Sequence, residues 1–386
     1  MRIVASAAGL AACFLLVAVA SSAGANGHAN YRPVCAGAPV ETARCHADVV
    51  TDARGNPQAT TSPTGYGPAQ FQTAYSLPST SAGVGQTIGV VDAYDDPKAE
   101  SDLGVFSSTY GLPPCTTANG CFRKVNQSGG PSYPRANQGW ALEISLDVQI
   151  AHAICPNCKI LLVEANSNSF SNLLAAEDYA TAHANEVSNS WGAGEFSSEA
   201  SYDSHFNKPG VAITVSSGDG GYGVEYPAAS QYVTAVGGTT LNLNPDKTRA
   251  SETAWSGAGS GCSAYEPKAS WQTDPGCVKR TVADVSADAD PNSGASVYDS
   301  YGYYGQKGWF QVGGTSLSAP LIAAVYALAG NASTTSYGSY PYSSTGLLYD
   351  VVSGSNGSCG GSYLCAGGPG YDGPTGLGTP SGTGGL

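Results

Sequence analysis

From about residue 67 the chain alternates short apolar runs with stretches of helical spacing, the pattern of βαβ units built on a mostly parallel sheet. Thr87-Ile88-Gly89-Val90-Val91-Asp92 reads as a buried strand closed by an acid, and Lys159-Ile160-Leu161-Leu162-Val163-Glu164 as a second. Between them, Leu142, Leu146 and Ile150 mark a helix from Trp140 to about Ala153, and Asn172 to about His183 is another. Residues 186–192, 211–216 and 232–236 supply further strands, and the apolar run Leu321 to Ala329 follows a glycine-rich turn. Residues 299–308, rich in Gly, Ser and Tyr, read as a surface loop. Residues 26–66 are polar, hold no long periodic segment, and read as a leader or linker ahead of one domain over residues 67–386.

The N-terminus follows another pattern. Met1-Arg2, an apolar stretch from Ile3 to Ala20 and the small residues Ser21 to Ala25 make residues 1–25 a signal peptide, with an uncleaved anchor as the competing reading. Leu10-Ala11-Ala12-Cys13 also fits a lipidation box, although its cysteine sits inside the apolar core. Of 11 cysteines, those beyond Cys13 fall into close pairs: Cys35/Cys45, Cys115/Cys121, Cys155/Cys158, Cys262/Cys277 and Cys359/Cys365. Local disulfides in an oxidising compartment are the simplest reading, and a zinc or redox site at Cys155-Pro156-Asn157-Cys158 would need a second ligand pair or an intracellular setting. The chain is therefore expected to be secreted. Past residue 25 no segment approaches the length of a membrane helix, so no membrane association is expected after signal removal.

Composition narrows the partners. With 386 residues, 41% of them hydrophobic, wholesale disorder is excluded. The 16 basic and 29 acidic residues give a net charge of −13 without any basic run, which leaves no electrostatic footprint for nucleic acid.

Candidate chemistry sits in three places. In Gly313-Gly314-Thr315-Ser316-Leu317-Ser318-Ala319-Pro320 a serine opens a helix after a tight turn, a placement that favours negative charge beside it and equally suits a helix cap. A nucleophilic serine needs a base, yet His28 and His46 lie in the leader and His152, His183 and His205 lack a small, glycine-flanked setting. Glu143 and Asp147, four apart, project from one face of one helix; buried, they would share a proton, and exposed, they would be a solvated acidic face. Ser216-Ser217-Gly218-Asp219-Gly220-Gly221 ends a strand, where open α/β sheets place their sites, and a protonated Asp219 there could donate to an oxyanion. It could equally form a turn.

Taken together and in this order, Glu143/Asp147, Ser217-Gly218-Asp219 and Gly314 to Pro320 resemble the sedolisin family of serine-carboxyl peptidases, from about Tyr66 to Thr379. The resemblance implies an α/β, subtilisin-like doubly wound fold with helices on both faces of a mostly parallel sheet. It implies Ser316 as nucleophile, Glu143 as general base and later acid, Asp147 as its partner and Asp219 as oxyanion donor, with Asp92 and Trp191 extending the proton network. Ser190, Trp191 and Gly192 match the segment that pairs with substrate backbone. In the tail, Asp350, Val351, Gly368, Gly370 and Asp372 match the family's site for one Ca²⁺ ion, whereas the residues alone read as turn caps. Residues 26–66 are too short for the family's folded prodomain.

The expected activity is acid-acting hydrolysis of protein or peptide by a secreted monomer, since both Asp219 and the Glu143/Asp147 pair must hold protons. The alternative is a non-catalytic, secreted peptide-binding protein on the same scaffold. A lipase-type hydrolase would expect Gly-x-Ser-x-Gly, and position 318 is serine.

Overall fold

The computed structural model describes Met1 and residues 30–386 apart from Ala36, Ala38 and Val40. The expected signal peptide beyond Met1, with Cys13, and also His28 lie outside the described residues.

Three short strands come first: β1 (Asn30–Pro33), β2 (Arg44–Cys45) and β3 (Asp48–Thr51). Helix α1 (Pro68–Ala74) leads to β4 (Thr87–Ala93), α2 (Ala99–Tyr110), β5 (Phe122–Asn126) and α3 (Gln138–Ile154). Next are β6 (Lys159–Ala165), α4 (Phe170–Thr181), β7 (Glu186–Asn189), β8 (Trp191–Gly194) and β9 (Ala212–Ser216). The chain continues through β10 (Glu225–Tyr226), β11 (Thr234–Leu243), β12 (Arg249–Ala254), β13 (Gly261–Pro267) and β14 (Lys279–Val282). It then forms β15 (Val285–Asp288), β16 (Ala295–Tyr303), β17 (Gln306–Gly313) and α5 (Thr315–Ala329).

The main sheet runs β12-β11-β9-β7-β4-β6-β5, with β15 also on β11. Only the β11–β12 pairing is antiparallel; Ile88 faces Ile160 on one side and Glu186 on the other in parallel register. The unbroken apolar runs become central strands because helices cover them: Ile88, Val90 and Val91 are fully buried. Helix α4 packs on β4, β6 and β7, while α3 and α5 pack on each other and on the sheet.

Helix α3 is buried from Gly139 to Ile154, which rules out a solvated acidic face. Its start is set by Asn137, whose side chain accepts from the Gly139 and Trp140 N–H groups. Most of its polar side chains find partners: Ser145 donates to Asp96 at 3.3 Å, Gln149 to the Tyr298 carbonyl at 2.7 Å, and His152 Nε2 lies 2.9 Å from the Pro113 carbonyl. Glu143 and Asp147 find none within hydrogen-bond geometry.

Three expectations are revised. Residues 299–308 are not a loop but most of a hairpin of β16 and β17, turning at Tyr304 and Gly305, both with positive φ. The strand read over 186–192 breaks at Ser190 into β7, in the main sheet, and β8, in a separate one. Residues 30–51 belong to the domain: β1 and β3 join β17 and β16 in a four-stranded antiparallel sheet, and β2 pairs with β8. Strands of two to four residues with nonlocal partners carry no readable period.

The five cysteine pairs form as spaced, Cys35–Cys45, Cys115–Cys121, Cys155–Cys158, Cys262–Cys277 and Cys359–Cys365. Cys155 and Cys158 are thereby committed to each other rather than to zinc or redox chemistry.

Candidate active site

The carboxyl ends of β4, β7 and β9 and the first turn of α5 converge where an open α/β sheet places its site. Asp92 closes β4, Ser190 follows β7, Asp219 lies just beyond β9, and Ser316 sits in the first turn of α5. Gly314 holds φ at 95°, and a Cβ there would meet the His46 carbonyl oxygen at 2.1 Å, so only glycine lets the chain turn into α5. Pro320 lacks the N–H that would reach back to the Ser316 carbonyl, and the Ser190 hydroxyl approaches that oxygen at 3.4 Å instead. The Ser316 hydroxyl donates in turn to the Ser190 carbonyl at 3.3 Å.

Glu143 and Asp147 are fully buried, and one carboxylate oxygen from each of Asp92, Glu143 and Asp147 lies within 4.8 Å of the others. Burial pushes Glu143 well above the usual carboxylate range, the charges of Asp147, Asp92 and Asp219 push it further, and the Ser316 hydroxyl acts against them. Burial and Asp92 raise Asp147 likewise, with Ser190 opposing, and burial alone pushes Asp92 up to about 8. Such crowding favours a proton shared among these acids, an arrangement suited to a general acid/base pair.

Asp219 is divided between two tasks. Its Oδ1 accepts from the Thr315 N–H and hydroxyl, both at 2.8 Å, while its buried Oδ2 has no partner. Burial, then the charge of Asp48, raise it well above the carboxylate range, which favours the neutral acid, and Oδ2 faces the position left open by Gly314. The structure thus brings Glu143, Asp147, Asp219, Ser316 and Asp92 together. Trp191 is buried nearby, but its one indole donor goes to the Val91 carbonyl at 2.9 Å, so it donates to no acid of the network.

Ser190, Trp191 and Gly192 do border the cleft, and the edge they offer is taken: Trp191 and Gly192 pair with Cys45 and Arg44 of the same chain. Four participants escaped the sequence reading. His46 is buried beside Ser316, yet it is no base, because its ring nitrogens face Ser216 at 2.7 Å and Glu225 at 2.9 Å while only its carbonyl meets Ser316. Asp48, Ser216 and Glu225 complete the surroundings. The Cys35/Cys45 loop was the one signal that this segment is held in place.

In the tail, Asp372 is buried, Asp350 exposed, and Val351 buried between the turns. The Gly368 N–H donates to Asp372 at 3.0 Å and the Gly370 N–H to Asp350 at 2.9 Å. Burial pushes Asp372 up to about 7 against its hydrogen bonds, and Asp350 adds to the rise. Two mutually repelling carboxylates in a glycine turn fit a hard cation with oxygen ligands.

A mostly parallel α/β sheet with helices on both faces and a serine at its strand ends is the architecture of subtilisin-like proteins. Consistent with it, the subtilase family profile matches residues 139–339, and the chain belongs to that family. It is similar to sedolisin of Pseudomonas sp. (strain 101), 29% identical over 82% of this chain and 60% of that protein. Similarity to kumamolisin of Bacillus sp. (strain MN-32) is 30% identity over 83% of this chain and 63% of the relative. The chain therefore spans less than two thirds of either relative's length. A solved structure of Pseudomonas sedolisin, described as a serine-carboxyl proteinase, overlays with a TM-score of 0.69 at 28% identity, covering 83% of this chain and 96% of that one.

Proposed function

We propose that this chain is a secreted serine-carboxyl peptidase that acts in acid and hydrolyses peptide bonds through an acyl-enzyme on Ser316. The observation that carries this reading is the cluster of buried acids, Glu143, Asp147 and Asp92, beside the Ser316 hydroxyl, with Asp219 opposite, where burial and mutual repulsion favour a proton shared within the cluster. Glu143 takes the Ser316 proton as the hydroxyl oxygen attacks the carbonyl carbon, and returns it to the departing amine. Asp147 and Asp92 hold the shared proton that keeps Glu143 poised. The oxyanion meets the Ser316 N–H and the Asp219 Oδ2 proton. Ser190, Trp191 and Gly192 take the substrate backbone as an added strand in the place that Arg44 and Cys45 hold in this structure.

The disulfides, and the lack of any membrane-crossing helix among the described residues, support secretion. Asp350 and Asp372, with backbone oxygens of Val351, Gly368 and Gly370, would hold one Ca²⁺, and a monomer acting on protein or peptide completes the reading.

The test is mass spectrometry of a mixed peptide library incubated with purified protein across a pH series. Cleavage peaking at about pH 3–5 and absent in Ser316→Ala is expected, because Asp219 stabilises an oxyanion only while protonated. A rate rising steadily from pH 4 to 8 would point to a histidine base and overturn the carboxylate mechanism.

A further inference from the structure

The polar turn Asn166-Ser167-Asn168-Ser169 leaves the carboxyl end of β6 and enters α4. Successive residues of an extended strand offer their N–H and C=O to opposite edges, so a strand held by β8 on one side has every second residue facing away from it. Ala43 is such a residue, and it meets Asn168. The Asn168 carbonyl accepts from the Ala43 N–H at 2.8 Å, and Asn168 Nδ2 donates to the Ala43 carbonyl at 2.7 Å. One asparagine thus takes both main-chain groups of one residue. Its side chain is oriented for this by Tyr94, whose hydroxyl donates to Asn168 Oδ1 at 2.9 Å. Tyr94 is fixed in turn by its N–H, which donates to the Ala165 carbonyl at 2.8 Å, and by its ring, which lies 6.3 Å from that of Trp140 on α3.

The register of the cleft sets the place of this contact. The Ser316 N–H donates to the His46 carbonyl at 2.9 Å, the His46 N–H donates to the Ser190 carbonyl at 3.1 Å, and Cys45 and Arg44 pair with Trp191 and Gly192. A peptide laid on β8 with its reacting carbonyl at the Ser316 N–H therefore brings its fourth residue on the amino side to Asn168. Past that residue the extended run ends: the Thr42 N–H turns back to the Pro39 carbonyl at 3.1 Å, and Glu41 holds φ at 64°.

We propose that Asn168, positioned by Tyr94, is a backbone clamp for the fourth residue on the amino side of the cleaved bond, so that peptides offering four or more residues there are the preferred substrates. This rests on the peptidase reading above and adds to it the length of peptide that the cleft recognises. The clamp takes one N–H and one C=O, which every residue except proline supplies, so it selects for reach and not for side chain. A peptide with three residues before the bond leaves both Asn168 groups to water. Asparagine does not titrate, so the preference for length is the same at pH 3 and pH 5, where the rate itself changes.

The full chain is given, at pH 4, synthetic peptides that share one bond cleaved in the library, with all that follows it, and carry three, four or six residues before it. Displacing residues 42–46 from β8 costs every peptide alike, so the ratio of two lengths isolates the clamp. From three residues to four, kcat/KM should rise about tenfold or more, the worth of two main-chain hydrogen bonds, and from four to six it should change by less than about twofold. A three-residue peptide capped with N-acetyl, which is uncharged at its start and supplies the fourth carbonyl without the fourth N–H, should fall between; so should proline as the fourth residue. Asn168→Ala keeps the main-chain carbonyl and loses the side-chain donor, so its four-to-three ratio should drop to about threefold, and Tyr94→Phe should lower the ratio by less. A ratio near one in the wild type overturns the clamp. A ratio that survives in Asn168→Ala overturns it too, even if that variant is slower on every peptide, because a merely structural role would slow all lengths together. Protein that cleaves no peptide of the series overturns the peptidase reading, and the clamp with it.

Discussion

Arg280 and Asp284 are as deeply buried as Glu143 and Asp147, and the fold treats the two sets of charges in opposite ways. Asp284 is saturated: Arg280 grips both of its oxygens, the Ala235 N–H donates at 2.8 Å and the Tyr342 hydroxyl at 2.8 Å. Glu143 and Asp147 receive no hydrogen bond of good geometry and face further acids. Where the fold needs rigidity it neutralises a buried acid with a fixed cation, and where it needs a mobile proton it leaves the acid to neutralise itself. The contrast separates structural from chemical acids in a chain that buries many of both.

The largest effect that can break this comparison is on rate. Glu143→Gln should lower kcat by about 10²–10⁴-fold, since an amide neither accepts nor returns the proton, while the melting temperature holds or rises. A neutral side chain relieves the repulsion from Asp147 and Asp92. Unchanged kcat would remove Glu143 from the mechanism. Asp284→Asn should do the reverse, costing about 3–5 kcal/mol of stability by leaving Arg280 an uncompensated buried charge. Chemical denaturation that shows a loss below 1 kcal/mol would place the pair among the dispensable ones.

That division was only half legible in the sequence. Glu143 and Asp147 could be found because a single helix repeat puts both on one face, and Ser316 and Asp219 because each sits in a short local motif. Glu225 and His46 could not, since they meet across 179 residues and neither lies in a periodic segment. Arg280 and Asp284 are four apart but stand outside any helix, and their pairing comes from a bend between β14 and β15. The buried strands were legible for the same reason that the helix was. The strands at residues 30–51 were not, because two to four residues give no period and their partners lie far along the chain.

A smaller effect tests whether self-neutralised acids are general. Burial pushes Glu177 and Glu186 up to about 8 and Asp96 to about 7, and it lifts Glu164 to about 9 despite Lys124. Each folded acid keeps its proton where the unfolded chain, near pH 4, has lost it. Their contribution is complete below about pH 4 and is lost as pH rises through 7 to 9. Glu225, held at about 2, has the opposite sign and weakens the fold only as pH falls towards 2. The raised acids outnumber it, so the melting temperature should fall from pH 4 to pH 8, and a rise over that range would contradict the burial of protonated acids. Glu177→Gln should flatten the slope without touching the cleft.

The smallest expected effect concerns a third way of treating buried charge, and it sharpens the comparison most. Asp350 and Asp372 repel one another as Glu143 and Asp147 do, but their surroundings differ. Asp372 accepts from Gly368 and Thr375, and Asp350 is exposed, so neither is isolated as the acids of the cleft are. Two facing carboxylates in a turn of backbone donors and carbonyls can be neutralised by a cation as well as by a proton, and the cation is the ligand that such an oxygen-rich turn suits. Calcium binding only the folded state would add about 2.7 kcal/mol at a hundred times its dissociation constant, so added Ca²⁺ should raise the melting temperature and chelator reverse it. Asp350→Asn is the cleaner variant, because Asp372→Ala would also remove the turn's hydrogen bonds, and it should abolish the calcium response while costing little in chelator. At pH 4 the response should shrink, since protonation of Asp372 competes with the ion. A melting temperature indifferent to Ca²⁺ at neutral pH would leave the two acids as turn caps and return this pair to the class that the protein neutralises with protons alone.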